Sequence, residues 1–222
     1  MAPTTYSYKT DGDVMKTELP NRMSRDEGAL ASGSGVRRPG AVLGRVSIGA
    51  ASSAAKAGGN TGTGTLTLDA VAPIGAGAKP GVYRVRLIAA AANAGTFRVS
   101  DPDGFVLGDV AVGGTFDGDI KFATADGATD FIVGDGFDIT IAMGAGKFKP
   151  LNPTAVDGSQ HAAAILLQNV DATSAEKRIV LLSRTSEVVL QALEWPEGIT
   201  SDQKNAALAA LEAKGVVARM GV

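Results

Sequence analysis

His161 is the only histidine in the chain, and cysteine is absent. Thiolate nucleophiles, disulfides, zinc–thiolate sites and any site needing two imidazoles are therefore outside its chemistry. A Ser-His-Asp arrangement would have to use His161. That residue stands directly before the apolar run Ala162–Leu167 with no nucleophile-elbow pattern around it, so it reads as structural. Asp101-Pro102-Asp103-Gly104 looks like the start of a calcium loop, which needs an oxygen ligand two residues on and a closing Glu. Phe105 and Val112 occupy those places. The stretch reads as a turn, with weak cation binding by clustered loop aspartates left open. Gly144-Ala145-Gly146-Lys147 fails as a phosphate loop, because Phe148 follows the lysine and Ile141 stands where the first glycine belongs. Gly75-Ala76-Gly77 fails too, with Pro80 at the third glycine position. Carboxylate pairs of the glycosidase kind have no aromatic platform beside them. The reading is no catalytic residues, no cofactor, no metal and no enzyme.

Composition fits a scaffold better than a reaction centre. Hydrophobic residues make up 45% of the 222, enough for a buried core, while aromatics reach only 5% and glycines number 29. That balance favours short strands and many turns. A net charge of −2 excludes binding nucleic acid by bulk electrostatics. The first residues lack the basic-then-apolar order of a secretory signal, and apolar runs such as Ala162–Leu167 fall far short of the ~20 residues of a membrane span. The expectation is a soluble protein made in the host cytoplasm, with no membrane partner.

Four segments follow along the chain. Residues 1–39 are polar, carry Pro3, Pro20 and Pro39, and nearly balance six cations against five carboxylates; they read as an extended N-terminal arm without basic character. Gly40–Ile48 is a short strand, followed by a Gly/Ser-rich linker over 49–64. Thr65–Met143 reads as a separate all-β unit, sandwich- or barrel-like. Tyr83, Val85 and Leu87 alternate there with Val82, Arg84, Arg86 and Ile88. Further strands are expected at 96–99, 105–107, 120–122 and 137–141, between Asp-Gly turns. This unit has five basic residues against ten aspartates, most of them expected on exposed loops. In the last segment, 162–167 and 179–183 read as buried strands separated by a turn at Asp171-Ala172-Thr173. One helix follows Trp195-Pro196-Glu197-Gly198-Ile199, with Thr200 as N-cap, Gln203 completing a capping box, Ala207, Leu208 and Leu211 on its apolar face and Gly215 as its stop.

Two stretches carry a family likeness. SRDEGALASGSGVRRPGAVLGRV (24–46) and GKFKPLNPTAVDGSQHAAAILLQNVD (146–171), continuing to LEWPEGITSDQKNAALAALEAKGVV, resemble the head decoration protein family of tailed bacteriophages, the family of the phage lambda capsid decoration protein. The shared order is a polar arm, a Val-Leu-Gly turn, Pro-Leu-Asn-Pro, Asp-Gly-Ser, an Ala-Ile-Leu-Leu strand and a Trp-Pro-x-Gly-Ile helix entry. The chain departs from short members by the whole stretch 58–143. That insert resembles a β module of other tailed-phage structural proteins, through Gly95-Thr96-Phe97, Asp101-Pro102-Asp103-Gly104, the run 125–131 and Gly134-Asp135-Gly136-Phe137. The resemblance does not imply what the insert does.

The resemblance implies an α+β core, mainly β with a C-terminal helix, formed by 40–57 and 144–222 and interrupted by an inserted domain at 58–143. It implies a homotrimer on the outer capsid surface of the virion, partnered by the major capsid protein, with an arm that is disordered when free and orders on the shell. The role implied is cement, holding the shell against the pressure of packaged DNA. Thr4, Thr5, Tyr6, Ser7, Tyr8, Lys9 and Thr10 have the strand propensity to add an edge strand to a capsid subunit. Removing residues 1–20 is then expected to leave a folded trimer that cannot bind heads. Trp195, Pro196, Leu208 and Leu211 are expected in core or trimer packing. The alternative from another class is a virion adhesion module binding host glycans through the insert; the low aromatic count argues against a sugar-stacking site, with Tyr83 and the phenylalanines leaving some room for one. A virion hydrolase built on His161 or paired aspartates ranks third.

Overall fold

Apolar alternation builds most of the strands in residues 9–221, the residues that the computed structural model describes. The chain enters through one helical turn, α1 (Asp11–Val14), then β1 (Met15–Glu18), β2 (Arg25–Leu30), β3 (Gly35–Arg37) and β4 (Val42–Arg45). Eight strands follow: β5 (Ile48–Ala55), β6 (Thr65–Leu68), β7 (Gly81–Ala91), β8 (Ala94–Ser100), β9 (Val106–Ala111), β10 (Thr115–Asp117), β11 (Lys121–Ala125) and β12 (Gly136–Met143). The last part holds β13 (Phe148–Pro150), β14 (Ala162–Leu166), β15 (Val170–Ala172), β16 (Lys177–Leu182), β17 (Ser186–Val189), helix α2 (Ser201–Glu212) and β18 (Val216–Arg219). The fold is mainly β with a C-terminal helix, as the sequence suggested. Contacts divide it into a split unit, Met1–Val46 with Gly146–Val222, and a nested unit, Ser47–Ala145.

In the split unit five strands close into a barrel in the order β13-β2-β16-β14-β4. Leu30, Leu43, Ala164, Ile165, Leu166, Leu181 and Leu182 are fully buried. Each large aliphatic side chain taken from water contributes roughly 1.5–3 kcal/mol, so this aliphatic core dominates the unit's stability. A three-stranded sheet, β1-β17-β18, and a two-stranded ribbon, β15-β3, complete it. Helix α2 begins where the sequence places it. Thr200 Oγ1 accepts from the Gln203 N–H at 3.2 Å, and Gln203 Oε1 accepts from the Thr200 N–H at 2.9 Å. Ala207 and Leu211 are buried on its inner side and Leu208 is partly buried. Gly215, at φ +81°, takes the left-handed conformation that ends the helical segment.

In the nested unit two antiparallel sheets, β5-β12-β7-β8-β9 and β10-β11-β6, bury one shared core. On β7 the expected alternation holds: Tyr83, Val85 and Leu87 are buried, while Val82, Arg84 and Ile88 are exposed. The core is aromatic. Phe97 and Phe131 meet edge to face at 5.2 Å, and Phe131 meets Phe137 the same way at 6.0 Å. Such ring pairs add about 0.5–1.5 kcal/mol each beyond burial. A Cβ on Gly64 would come within 2.4 Å of the Phe131 ring, so the glycine lets the backbone lie against it.

Three expectations are corrected. Residues 9–39 are not an extended arm. Val14 and Leu30 are fully buried, β2 is a barrel stave and β1 pairs with β17, because the unit needs these side chains and edges to close. Residues 49–64 are not simply a linker, and of the 40–57 segment only 40–46 stays with the barrel unit, while 47–57 goes to the nested one. β5 pairs with β12 of the nested unit, its small side chains fitting an edge strand despite their weak propensity. Asp171-Ala172-Thr173 is a turn only in part: Asp171 Oδ1 accepts from the Thr173 N–H at 2.9 Å, but Val170–Ala172 also pair with β3.

Candidate functional site

Thr4, Thr5, Tyr6, Ser7 and Tyr8 lie outside the described residues. Lys9 and Thr10 are described, and they form the root of that segment. The Lys9 ammonium donates to the Ala192 carbonyl and pairs with Glu194 at 3.5 Å, while Asn169 Nδ2 reaches the Lys9 carbonyl at 3.5 Å. Thr10 donates through its N–H (2.7 Å) and its hydroxyl (2.9 Å) to Asp13 Oδ2. Those two bonds hold the Asp13 carboxyl below its ordinary range. Just beyond, Arg25 grips Glu18 with two N–H donors at 2.8 and 2.9 Å and reaches Asp11 at 3.1 Å. The Arg25 hydrogen bonds outweigh burial and depress Glu18. The segment before residue 9 is thus tethered to a fixed point. Arg25, Glu18, Glu194 and Asn169 were not legible as its anchors. Thr10-Asp11-Gly12-Asp13, a Ser/Thr-x-x-acid pattern, was the available signal that a helical turn starts there.

Trp195 and Pro196 are both half-buried. They border a groove of about 340 Å³ whose other walls include Arg37, Val42, Pro150 and Leu151. Trp195 also packs against the cluster that holds Leu193 and Leu211, with Leu208 beside them. So Trp195, Leu208 and Leu211 share one cluster, while Lys9 pairs with Glu194, the residue before Trp195. His161 is exposed and lines a separate apolar hollow beneath α2 with Leu151, Ala162 and Ala207.

The aspartate loops of the nested unit serve structure. Asp101 Oδ1 accepts from the Asp103 and Phe105 N–H groups at 3.0 and 2.8 Å. Lys79 Nζ sits between Asp101 (3.2 Å) and Asp103 (2.6 Å), placing an internal cation where an ion was conceivable. Among the described residues no group of three metal-ligating side chains occurs. Asp135 is buried rather than exposed as a turn residue. Its carboxylate accepts from the N–H groups of Thr61, Gly62 and Ile132, at 2.9–3.2 Å. Burial pushes the Asp135 carboxyl up, but the Gly62, Thr61 and Ile132 donors outweigh it and hold it below the usual range. Tyr83, proposed for sugar stacking, is wholly buried, its hydroxyl oxygen accepting from the Lys79 N–H at 2.8 Å. Phe97, Phe122, Phe131 and Phe137 are buried too, which leaves Phe105 as the exposed ring.

The sequence profile described as bacteriophage lambda head decoration protein D matches residues 4–216, spanning the N-terminal segment and both parts of the split unit. The chain belongs to this family. It is a member of a structural, phage head decoration family, and the family places it at the capsid surface of the virion. No curated protein matches the chain. Two crystal structures of Xanthomonas campestris FlgL, in space groups H3 and C2, match with 24% and 23% identity over 50% of this chain. The matched parts cover 34% and 33% of the FlgL chains, so this chain spans about a third of their length. Both have a TM-score of 0.31, and that likeness carries no argument about fold or role.

Proposed function

We propose that this protein is a cement protein: a homotrimer that binds the outer surface of a tailed-phage head through its N-terminal segment and stiffens the shell against packaged DNA. The observation that carries the reading is the family match beginning at residue 4, so that the family likeness includes the strand-prone Thr4–Thr10. The fold supports it with a firm tether at Lys9, Thr10 and Arg25, from which residues 1–8, if extended, span ~26–29 Å. The partner is the major capsid protein. An added edge strand gains main-chain hydrogen bonds, while ordering costs ~1–2 kcal/mol per residue, so one arm holds weakly. Three arms on one trimer raise the effective concentration and hold firmly.

The truncation that tests this is shorter than the sequence suggested, because removing residues 1–20 would strip β1 and the buried Val14 from the split unit. Deleting residues 1–8 is expected to preserve an assembly of three truncated chains, slightly under three times the 22.4 kDa of the full chain, and to abolish saturation of undecorated heads. Equal saturation by the truncated protein overturns the arm mechanism, and a monomeric mass overturns the avidity argument.

A further inference from the structure

We propose that the outer face of the five-stranded sheet in the nested unit binds an acidic polysaccharide, holding the carboxylates of the sugar chain by arginine and not its rings by stacking. The alternation that buries Tyr83, Val85 and Leu87 turns Val82, Arg84, Arg86 and Ile88 to the opposite side of β7. Arg98 joins them from β8, directly across the ladder from Arg86. These are the only arginines of residues 47–145, and all three stand on one face. Asp109 and Asp138 share it, so the face carries three cations against two carboxylates. The rest of the unit carries three lysines against eight aspartates. Packing alone does not ask for this arrangement, because like charges directly across a ladder repel.

Two of the arginines are fixed by neighbours. Arg98 forks onto Asp109 with two N–H donors, each at 3.0 Å. Arg86 donates to Asp138 at 2.5 Å and to the Phe137 carbonyl at 2.8 Å, and it lies across Gly136, where a Cβ would come within 3.0 Å of its Cδ. Arg84 differs. It is exposed, stands between Ser100 and Asp138 in its ladder row, and makes no ion pair among the described residues, since Asp138 pairs with Arg86. A guanidinium with an unpaired fork takes a carboxylate through two parallel hydrogen bonds. Asp109 on Arg98 shows the pairing that a ligand carboxylate makes at Arg84. The surroundings select the polymer. Ser100 in the row of Arg84, and Thr140 with Ser52 in the row of Val82, add hydroxyls for sugar hydroxyls. The rows that hold the arginines contain no aromatic side chain, the usual anchor of a protein partner. Nucleic acid, with a charge every ~1.7 Å, would be pressed against Asp109, Asp138 and the acidic remainder of the unit. A polysaccharide spaces its carboxylates at least a sugar apart and offers hydroxyls between them.

The full chain, immobilised on a biosensor surface where a polymer can meet many copies at once, is expected to retain polygalacturonate and to let the neutral polymer dextran pass. Arg84→Gln removes the unpaired fork at an exposed position and is expected to weaken retention about tenfold or more, with an unchanged unfolding midpoint. Asp109→Asn releases the Arg98 fork and is expected to strengthen retention. Lys121→Gln removes one cation from the other sheet of the same unit and is expected to leave retention as it was. Full retention by Arg84→Gln overturns the proposal. Equal weakening by Lys121→Gln overturns it too, since bulk charge then explains the binding. Passage of polygalacturonate also overturns it, and retention of poly-glutamate or single-stranded DNA in its place assigns the face to an acidic protein or to nucleic acid. Every measurement is made without capsids, so failure here leaves the arm mechanism standing, and failure of the arm mechanism leaves this site standing.

Discussion

The split unit and the nested unit solve one problem, burying enough surface in a chain poor in aromatics, by opposite means. The split unit closes a barrel with aliphatic side chains drawn from both parts of the chain, and it owns a single phenylalanine, Phe148. The nested unit concentrates the other six phenylalanines and Tyr83, packs four of those rings and the tyrosine into one core, and pins its loops with buried Asp101 and Asp135. In the closed barrel every stave has two neighbours, and its loops are pinned by smaller groups such as the buried Ser24, whose hydroxyl accepts from the Leu19 N–H at 2.9 Å and donates to the Thr185 carbonyl at 2.6 Å. Open sheets held by a few large rings need their connecting loops tied down, and a carboxylate accepting several N–H groups does that.

The difference can be broken first at Phe131. Phe131→Ala removes the ring shared by two edge-to-face pairs and is expected to cost about 3–5 kcal/mol, confined to the nested unit. Hydrogen exchange should accelerate in β7, β8 and β12, while denaturant unfolding followed by Trp195 emission, which reads the split unit, keeps its midpoint. A matching shift in the Trp195 midpoint would mean that the two units unfold together.

Next in size is Asp135. Asp135→Asn weakens the acceptor facing three backbone donors and is expected to destabilise the nested unit by roughly 1–3 kcal/mol at neutral pH. The pH dependence has a fixed sign. Asp135 titrates below its ordinary 3.8 in the folded unit, so the unfolded chain binds the proton more readily. Its contribution is complete above about pH 5 and is lost as pH falls through 4 toward the folded value. The substituted protein should therefore lose less nested-unit stability between neutral and acid pH than the parent does. An unchanged acid profile by hydrogen exchange would show that other carboxylates carry it.

Thr200→Ala tests the split unit at a single cap. Losing the hydroxyl acceptor for the Gln203 N–H is expected to cost about 1 kcal/mol, read in the Trp195 unfolding midpoint. The smallest effect is expected from excision. The Val46 N–H donates to Lys147 O at 2.8 Å and the Gly146 N–H to Val46 O at 3.0 Å, so the nested unit leaves and returns at the end of the β4–β13 ladder. Replacing 47–145 with a two-residue Asn-Gly turn should leave Trp195 emission and midpoint nearly unchanged. Loss of the folded signal would show that the split unit depends on its guest.

Legibility followed the range of the interactions. The capping box of α2, its stop at Gly215 and the alternation on β7 involve neighbours a few residues apart, and their chemistry is written locally. β2 was read as arm because Arg25-Asp26-Glu27-Gly28 offers almost no apolar signal. It is a stave because β16, some 150 residues away, supplies its ladder and the Phe148 ring, with Leu181 beside it, packs where Gly28 has no side chain. The Lys9–Glu194 and Arg25–Glu18 contacts that root the candidate site could not be paired from spacing alone. Trp195, Leu208 and Leu211 lie in or against one apolar cluster because one helix and its entry hold them all.

By itself the sequence determined the family, the β-rich class, the C-terminal helix and the lack of any cysteine or paired-histidine chemistry, since these depend on residue types and short spacings. Only the tertiary structure decided where the N-terminal segment stops being part of the barrel unit, that β5 belongs with β12, and that Asp135 is a buried clamp. Each of those is settled by a partner distant in sequence, and backbone hydrogen bonding and burial are properties of the meeting, not of either segment alone.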